Sequence, residues 1–204
     1  MAKRGKFIVF EGLDGSGKST QLRLLEQRMT AEGRRVFRTA EPTDGAIGRR
    51  IRAALSGAEP ASTAELAALF LADRIEHNEA ICAHLDAGED VICDRYYFSS
   101  MAYQGPLTDP DWVADMNRRC PAIAHPDLCV FLDVDCRKCK ARLDAGRDAL
   151  EIYERDVAFM EATRGAFLAA FRRCEGEERV AVVDADREKE AVAEEIFAAV
   201  REIF

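Results

Sequence analysis

Residues with recognisable chemistry begin near the start of the chain, in a glycine-rich segment that ends in Gly-Lys-Ser. The segment from Gly12 to Ser19 matches GxxxxGK[ST] and lies between an apolar run and a stretch of helical periodicity. Glycines let backbone N–H groups turn toward phosphate oxygens, and the N-terminus of the following helix adds a favourable dipole. We expect Lys18 to reach the β- and γ-phosphates of a nucleoside triphosphate and Ser19 to ligate Mg²⁺. The alternative is a glycine-rich turn that ends a strand by chance; the motif, its flanks and their order favour the phosphate site. The predicted triphosphate-binding residues are Gly12, Leu13, Asp14, Gly15, Ser16, Gly17, Lys18, Ser19 and Thr20.

Asp94 and Arg95 form a second candidate pair. Asp94 closes an apolar run that starts at Asp90, so its carboxylate is expected at the carboxyl edge of a buried strand, where ligands collect in open α/β sheets. There it can hold Mg²⁺ through water, and Arg95 can bind a phosphate with its fork of donors. An isolated Asp-Arg pair is more often a surface ion pair, but a phosphate-binding loop in the same chain favours the functional interpretation.

The elements that position these residues follow an alternating pattern. Short apolar runs alternate with longer stretches of helical periodicity, which is typical of a parallel sheet covered by helices on both faces. We therefore predict a three-layer α/β fold with a five-stranded parallel sheet flanked by helices. The predicted strands are Lys6–Glu11, Arg35–Thr39, Asp90–Asp94, Asp127–Asp133 and Arg179–Asp184.

Three helices can be placed from periodicity and end signals. One runs from about Gly17 to Glu32, with Gly33 placed to end it. A longer helix begins near Ser62, where Ser62 and Glu65 have the spacing of a capping box, and continues to Ala87. Another helix follows Tyr153.

Composition bounds the class of protein. The 204 residues are 48% hydrophobic and 32% charged, which predicts a single domain over residues 1–204. The formal net charge of −8 argues against a protein that wraps nucleic acid or coats an anionic membrane, because both depend on excess Lys and Arg. The apolar stretch after the basic start is too short for a signal segment or a membrane span.

The seven cysteines are scattered and odd in number, which indicates a reducing cytosol and a cytoplasmic protein. Cys136 and Cys139 form a lone CxxC. No second Cys or His pair follows at zinc-finger spacing, so ordinary thiols are favoured over a metal or redox site.

Several segments taken together resemble the thymidylate kinase family, in the same order over nearly the whole chain. The Phe-x-x-x-Arg and Asp-Arg-Tyr…Ser segments discriminate this family, since the phosphate loop alone is shared by many unrelated NTPases. The resemblance implies a P-loop NTPase fold with a short lid, a homodimer, and transfer of the γ-phosphoryl of ATP to dTMP, with Mg²⁺, giving dTDP and ADP in dTTP biosynthesis. The segments are EGLDGSGKST (11–20), EPTDGAIGRRIR (41–52), LFLADR (69–74), DRYYFSSMAYQ (94–104), PDLCVFLDV (126–134) and VVDA (182–185).

The resemblance also implies a binding site for the acceptor base. Phe70 and Arg74 are four positions apart and share one helix face. In the family such a pair stacks on the base and donates to O4 of the pyrimidine. A core Phe beside a surface Arg is the alternative for this pair taken alone.

For the sugar and phosphate of the acceptor, the resemblance implies that Asp14 accepts a hydrogen bond from the 3′-hydroxyl. Arg95 would bind the 5′-phosphate, helped by Arg49 or Arg52. Tyr103 would stand where a 2′-hydroxyl would collide. The other residues implied for the base and sugar pocket are Ser99, Ser100 and Gln104.

A lid is expected at approximately 142–154. Since Gly15 stands where some family members carry an arginine, the lid must supply the catalytic arginine, with Arg147 the first choice and Arg142 the second. Tyr153 resembles the lid residue that approaches the sugar, and Glu154 the one that approaches the metal and its water. A solvated surface helix is the alternative for each lid residue. The catalytic residues predicted overall are Lys18, Arg95, Arg147, Arg142 and Asp14.

Two departures from the family pattern bear on the site. The chain has Ala40-Glu41-Pro42 where many bacterial members have Arg-Glu-Pro, so a polar contact is missing or is supplied elsewhere, with Arg38 a candidate. The lid reads Glu151-Ile152-Tyr153-Glu154 in place of the commoner Asp-Arg-aromatic-Glu. Competing functions are therefore kept open: a deoxynucleoside kinase, a kinase for another pyrimidine monophosphate, or a P-loop module that binds nucleotide without turnover.

Overall fold

The computed structural model describes residues 3–146, 153 and 156–204, and its strands form one parallel sheet. The order across the sheet is β2-β3-β1-β4-β5, with β1 in the centre. The strands are β1 (Phe7–Glu11), β2 (Val36–Ala40), β3 (Asp90–Asp94), β4 (Leu128–Asp133) and β5 (Val180–Asp184). The helices are α1 (Lys18–Ala31), α2 (Ala46–Ser56), α3 (Thr63–Asp86), α4 (Tyr97–Tyr103), α5 (Pro110–Arg118), α6 (Cys136–Gly146), α7 (Val157–Arg173) and α8 (Lys189–Arg201), with a 3₁₀ turn at Gly105–Leu107.

The five predicted strands are confirmed, with ends that differ by no more than one residue. The first four residues of β1, Phe7 to Phe10, are apolar without alternation because both faces of the strand are covered, and all five of its residues are buried. It pairs in parallel with β3 on one side and β4 on the other; Ile8 lies opposite Ile92 and Leu128.

Alternate residues of β1 enter two separate cores, because successive side chains of a strand point to opposite faces. Phe7 and Val9 pack on one face with residues of α3, α4 and α7. Ile8 and Phe10 pack on the other face with residues of α1, α6 and α8. The predicted three-layer α/β fold is therefore confirmed.

The predicted helix boundaries also correspond closely to the structure. Helix α1 ends before Gly33, whose φ of +83° is the left-handed conformation expected after a helix end. Helix α3 begins with the predicted capping box: the Ser62 side chain accepts from the Glu65 N–H, and the Glu65 carboxylate accepts from the Ser62 N–H. The helix expected after Tyr153 is α7, capped by Asp156.

Helix α6 occupies the first part of the expected lid. It contains Arg142, whereas residues 147–152 and 154, including Arg147 and Glu154, lie outside the described residues. Cys136 and Cys139 are buried free thiols in the first turn of this helix. Within the described ranges, no helix is long and apolar enough to cross a membrane.

Because all five strands are parallel, their carboxyl ends meet at one edge of the sheet. Glu11, Asp94, Asp133 and Asp184 are the last residues of four strands, and the glycine-rich loop starts directly after Glu11. The candidate site lies along this edge.

Candidate active site

The glycine-rich loop connects β1 to α1 and depends on glycine at two close approaches. Gly12 has φ +147°, and a Cβ there would lie 2.9 Å from Ser16 Oγ and 3.0 Å from the Leu132 carbonyl oxygen. Gly15 has φ +80°, and a Cβ there would lie 2.6 Å from the carbonyl oxygen of Cys139 in α6. Contact with α6 therefore leaves no room for a side chain at position 15 unless the backbone shifts.

Lys18 lies in the floor of the loop with only 6% of its surface exposed. Its Nζ donates to the carbonyl oxygens of Gly12 and Leu13, both at 3.0 Å. Burial lowers its pKa, as does the nearby charge of Arg95, while Asp14 and other carboxylates act in the opposite direction. The ammonium thus lies in a poorly solvated position where an anion would stabilise it strongly.

Ser19 and Asp94 line the same opening, which we call the loop cavity. It is bounded mainly by the glycine-rich loop, the ends of β2 and β3, and α6. Its lining residues are Asp14, Gly15, Gly17, Lys18, Ser19, Thr20, Ala40, Glu41, Pro42, Arg52, Asp94, Arg95 and Leu143.

The pair Ser19 and Asp94 fits Mg²⁺. Oδ1 of Asp94 is buried and has no hydrogen-bond partner among the described residues. Buried carboxylate oxygens are normally paired, so an orphaned one beside a hydroxyl group indicates a place for a cation. Mg²⁺ prefers carboxylate and hydroxyl oxygens together with water. The third predicted metal residue, Glu154, lies outside the described residues.

Arg95 follows β3 directly and has a left-handed backbone with φ +69°. Its Nη2 donates to Asp14 Oδ2 at 2.8 Å, and its Nη1 donates to Ser99 Oγ at 3.0 Å. Its guanidinium lies 5.3 Å from the centre of the Tyr103 ring. Burial disfavours its charge, but Asp14 and other neighbours outweigh this effect, so its pKa lies well above the ordinary value.

A second cavity, the inner cavity, has a volume of about 150 Å³ and extends from Arg95 toward α3 and α4. Nine of the eleven residues predicted to bind the acceptor line it. The other two do not: Ser100 is buried with its Oγ 3.4 Å from Arg74 Nη1, and Arg49 is exposed and donates to the Asp44 carbonyl oxygen at 2.7 Å. The lining residues are Asp14, Glu41, Pro42, Arg52, Leu55, Phe70, Arg74, Arg95, Tyr96, Ser99, Tyr103, Gln104 and Tyr153.

Arg74 forms one wall of the inner cavity and is only 1% exposed. Its Nε and Nη2 donate to Glu41 Oε2 at 2.8 and 2.7 Å, and its Nη1 donates to Asn117 Oδ1. Both Nη atoms also lie 3.4 Å from Ser100 Oγ. These two contacts are long and share one acceptor, so they are the ones that a ligand carbonyl can replace with least loss. The alternative of a surface arginine is wrong.

Glu41 and Asn117 were not predicted as site residues, although Glu41 lies in one of the family-like segments. Glu41 neutralises Arg74 and also contacts His77 Nδ1 at 3.1 Å; His77 Nε2 in turn lies 2.6 Å from Thr39 Oγ1. This buried chain ties the end of β2 to α3. No local pattern in the sequence indicates it, because its members come from segments far apart.

Arg52, in α2, is held at the site by the turn that follows Glu41. Arg52 donates from Nη1 to the Thr43 carbonyl oxygen at 2.7 Å and from Nη2 to the Pro42 carbonyl oxygen at 2.6 Å. Asp73 fixes the same turn by accepting from the Thr43 N–H and hydroxyl. Arg38, the candidate replacement at the altered Ala40-Glu41-Pro42 segment, forms an ion pair with Glu26 at 3.0 Å and does not line the inner cavity.

Gln104 and Tyr153 close the far side of the inner cavity. Oε1 of Gln104 is buried with no hydrogen-bond partner among the described residues. The Tyr153 ring packs against those of Tyr103 and Phe159, with centroid distances of 5.2 and 5.4 Å. Tyr153, the predicted lid-end residue that the structure describes, therefore lines this cavity.

Arg142 lies beside the loop in a further cavity. Its Nη1 donates to the Gly15 carbonyl oxygen at 2.9 Å. The same cavity is lined by Ala185 and Arg187, which follow β5. Thus α6 and the segment after β5 both lie beside the phosphate loop.

Glu11 is another ionisable residue at this edge that sequence analysis missed. It is fully buried, and its carboxylate accepts from the N–H groups of Tyr96 and Ser99 and from the Ser99 hydroxyl. Burial raises its pKa to about 7, against the effect of these hydrogen bonds and of Arg95.

The loop cavity and the inner cavity meet at Asp14, Glu41, Pro42, Arg52 and Arg95, which line both. A triphosphate in one cavity and an anionic acceptor in the other would therefore face each other across two arginines. A parallel α/β sheet with this phosphate loop and an adjoining acceptor cavity defines a P-loop nucleoside monophosphate kinase.

Comparisons with known proteins identify the family. The thymidylate kinase family model matches residues 10–196, and the chain belongs to this family. It is 37% identical to a thymidylate kinase of Pelotomaculum thermopropionicum over 207 residues, covering 98% of this chain and 94% of the relative. A relative from Treponema pallidum is 39% identical over 202 residues, covering 96% and 95%. A thymidylate kinase of Desulfotalea psychrophila is 39% identical over 145 residues, covering 70% of each chain.

Proposed function

We propose that this enzyme transfers the γ-phosphoryl group of ATP to dTMP, giving dTDP and ADP for dTTP biosynthesis. The observation that carries the proposal is the junction of the two cavities at Asp14, Arg52 and Arg95, directly beside Lys18. A monophosphate held there presents its phosphate to the end of the triphosphate. Membership of the thymidylate kinase family supports dTMP as that monophosphate.

The hydrogen-bonding groups of the inner cavity support thymine as the base. The unpaired Gln104 Oε1 is an acceptor and suits the N3–H of thymine, whereas N3 of cytosine is itself an acceptor. Each Nη atom of Arg74 makes one strong hydrogen bond and one long contact to Ser100 Oγ; a carbonyl at O4 can replace the long contacts, whereas cytosine has an amino group there. Phe70 lines the cavity, where its ring can stack on the base. A site that leaves such groups unpaired rejects the wrong base strongly.

Asp14, Arg95 and Tyr103 suit the sugar and phosphate of the acceptor. Arg95 presents donors toward an anion while Asp14 holds its guanidinium. The carboxylate of Asp14 is a hydrogen-bond acceptor, which suits the 3′-hydroxyl of the sugar. Tyr103 also lines the cavity, with its ring 5.3 Å from the Arg95 guanidinium, and limits the room available beside the sugar.

The chemical step depends on position and charge. The acceptor phosphate is already anionic at neutral pH, so no strong general base is required. Lys18 and Arg95 neutralise charge that spreads over the transferring group, and Arg142 and Arg147 are the lid candidates for further neutralisation. Ser19 and Asp94 would hold Mg²⁺, with Glu154 as a further candidate; when bound, the ion supplies positive charge to the phosphate oxygens.

The domain organisation, oligomeric state and cellular location of the enzyme are also part of the proposal. We propose a single kinase domain over residues 1–204 with a lid at approximately 142–154, acting as a homodimer in the cytoplasm. Family resemblance supports the homodimer, and the scattered free cysteines support a reducing compartment. The acidic net charge of −8 gives no support to a nucleic-acid or membrane partner.

A panel of acceptors tests the proposal. The purified chain is incubated with ATP, Mg²⁺ and, in separate reactions, dTMP, dCMP, UMP or thymidine, and ADP formation is followed. We expect dTMP to be the best acceptor, and we expect kcat of the Lys18→Ala variant with dTMP to fall by about 10²–10³. Preference for thymidine would make the protein a deoxynucleoside kinase. Tight nucleotide binding without ADP release for any acceptor would make it a regulatory module.

A further inference from the structure

Glu11 lies at the centre of the site edge, yet it lines neither cavity and has no part in the reaction as described above. Its side chain is fully buried between the end of β1 and the start of α4. A buried carboxylate is expensive unless hydrogen bonds or cations stabilise it. Glu11 has three such hydrogen bonds, and all of them come from residues adjacent to Arg95 or one helical turn beyond it.

The first effect of Glu11 is on the backbone around Arg95. A left-handed conformation of a residue with a side chain is strained and persists only when its surroundings fix it. The N–H of Arg95 donates to the Phe10 carbonyl oxygen at 2.8 Å, and the next N–H, that of Tyr96, donates to Glu11 Oε1 at 2.9 Å. The last two residues of β1 therefore hold the peptide groups on both sides of Arg95.

The second effect is on the Ser99 hydroxyl. Its oxygen lies 2.6 Å from Glu11 Oε2 and 3.0 Å from Arg95 Nη1. An ionised carboxylate only accepts and a guanidinium only donates, so the direction of both bonds is determined. Ser99 gives its proton to Glu11 and accepts from Arg95. The carboxylate thus orients the hydroxyl that holds one side of the guanidinium, while Asp14 holds the other.

We infer that Glu11 is a positioning residue for the acceptor phosphate: through the Tyr96 N–H and the Ser99 hydroxyl it holds Arg95 in the direction that faces the inner cavity. This inference rests on the proposed function for the role of Arg95. It concerns the acceptor side of the reaction, because none of the three hydrogen bonds involves the loop that holds the triphosphate.

The Glu11→Gln variant isolates this role because the amide has nearly the same shape. The amide oxygen can still accept from the Tyr96 and Ser99 N–H groups. The amide nitrogen, however, donates where the carboxylate accepted. The Ser99 hydroxyl therefore loses the acceptor for its proton, and the amide competes with Arg95 Nη1 to donate to the Ser99 oxygen. Loss of one charge-assisted hydrogen bond predicts that kcat/KM for dTMP falls about ten- to a hundred-fold.

The test compares KM values for the two substrates at a pH above the pKa of Glu11. In Glu11→Gln we expect KM for dTMP to rise while KM for ATP changes less than about twofold. In a Ser99→Ala background, which is itself impaired, the further loss caused by Glu11→Gln should shrink to less than about threefold, because the connecting hydroxyl is gone. Glu194→Gln, in an exposed ion pair with Arg28, is the matched control and should equal the wild type.

Two results would overturn the inference and indicate a general structural role for Glu11. One is an equal rise of KM for dTMP and KM for ATP in Glu11→Gln. The other is a loss from Glu11→Gln that is as large in the Ser99→Ala background as in the wild type. If Glu11→Gln does not fold, Ser99→Ala alone decides: wild-type kinetics with dTMP would contradict the inference. A wild type that prefers another monophosphate would refute the proposed function, and the comparison is then made with that acceptor. A wild-type protein without turnover would also refute the proposed function. The affinities of the wild type and of Glu11→Gln for dTMP, measured by calorimetry, are then compared.

Discussion

Lys18 offers the sharpest test of the phosphate site, because the structure separates its contribution to catalysis from its contribution to stability. In Lys18→Ala, the carbonyl groups of Gly12 and Leu13 each lose a hydrogen bond of 3.0 Å. Lys18 itself lines the open loop cavity, so water can enter the space that the ammonium leaves, and removing a desolvated cation returns part of its burial energy. We therefore expect the free energy of unfolding to change by less than about 2 kcal/mol.

The catalytic effect of the same change should be much larger. Deletion of one preorganised donor to a charged transition state typically raises the barrier by about 3–4 kcal/mol, a loss of about 10²–10³ in kcat. Steady-state ADP formation from ATP and dTMP measures the rate, and urea denaturation measures stability. Lys6→Ala is the control: Lys6 precedes the same strand at its opposite end and pairs with Asp127. A Lys18→Ala enzyme with kcat near that of the control would refute the assignment of the loop.

Three further perturbations test other parts of the site. Arg74→Met should destabilise the protein by about 3–5 kcal/mol in urea unfolding, because it leaves the buried Glu41 carboxylate without its cation. The double variant Arg74→Met/Glu41→Gln should recover much of that loss. Equal losses in the single and double variants would contradict a stabilising buried ion pair. Burial raises the pKa of Glu11 from 4.5 to about 7, so its contribution to stability is complete below about pH 4.5 and is lost as the pH rises through 7. The stability of the wild type relative to Glu11→Gln should therefore fall by about 3 kcal/mol across that window, and a difference independent of pH would contradict the shift. Tyr103→Ala should narrow the preference for dTMP over its 2′-hydroxyl analogue by about tenfold in kcat/KM, and an unchanged ratio would exclude Tyr103 from sugar selection.

Much of the frame could be predicted because local signals determine it. The run FIVF (7–10) is apolar on both faces, which is what a central parallel strand requires, and β1 lies in the middle of the sheet. Ser62 and Glu65 interact within one turn of chain, so their capping box was confirmed at the predicted residue. The glycines of the phosphate loop are needed for backbone conformations that the motif itself specifies.

Several helices were not predicted. All seven residues of α4 are buried, so the helix has no polar face from which periodicity could be detected. Helix α2 does have a signal, because Ile51 and Leu55 lie on one apolar face. The short helices α5 and α6, and α8 near the end of the chain, were likewise not assigned.

The site shows the same division between local and long-range signals. Arg95 and Asp94 could be predicted because they end a buried strand. The roles of Glu11, Glu41 and Asn117 could not, because each depends on a partner at least 33 positions away in the chain. The absence of an arginine at Gly15 now has a physical reason, since the backbone of α6 packs against this glycine.

The direct test of the central claim follows the γ-phosphoryl group itself. The chain is incubated with γ-labelled ATP, Mg²⁺ and dTMP, and the labelled product is identified by chromatography. Because the two cavities meet at Asp14, Arg52 and Arg95, the account predicts label in the β-phosphate of dTDP, with one ADP formed for each dTDP. Label recovered only as inorganic phosphate, or no dTDP while ADP accumulates, would contradict it.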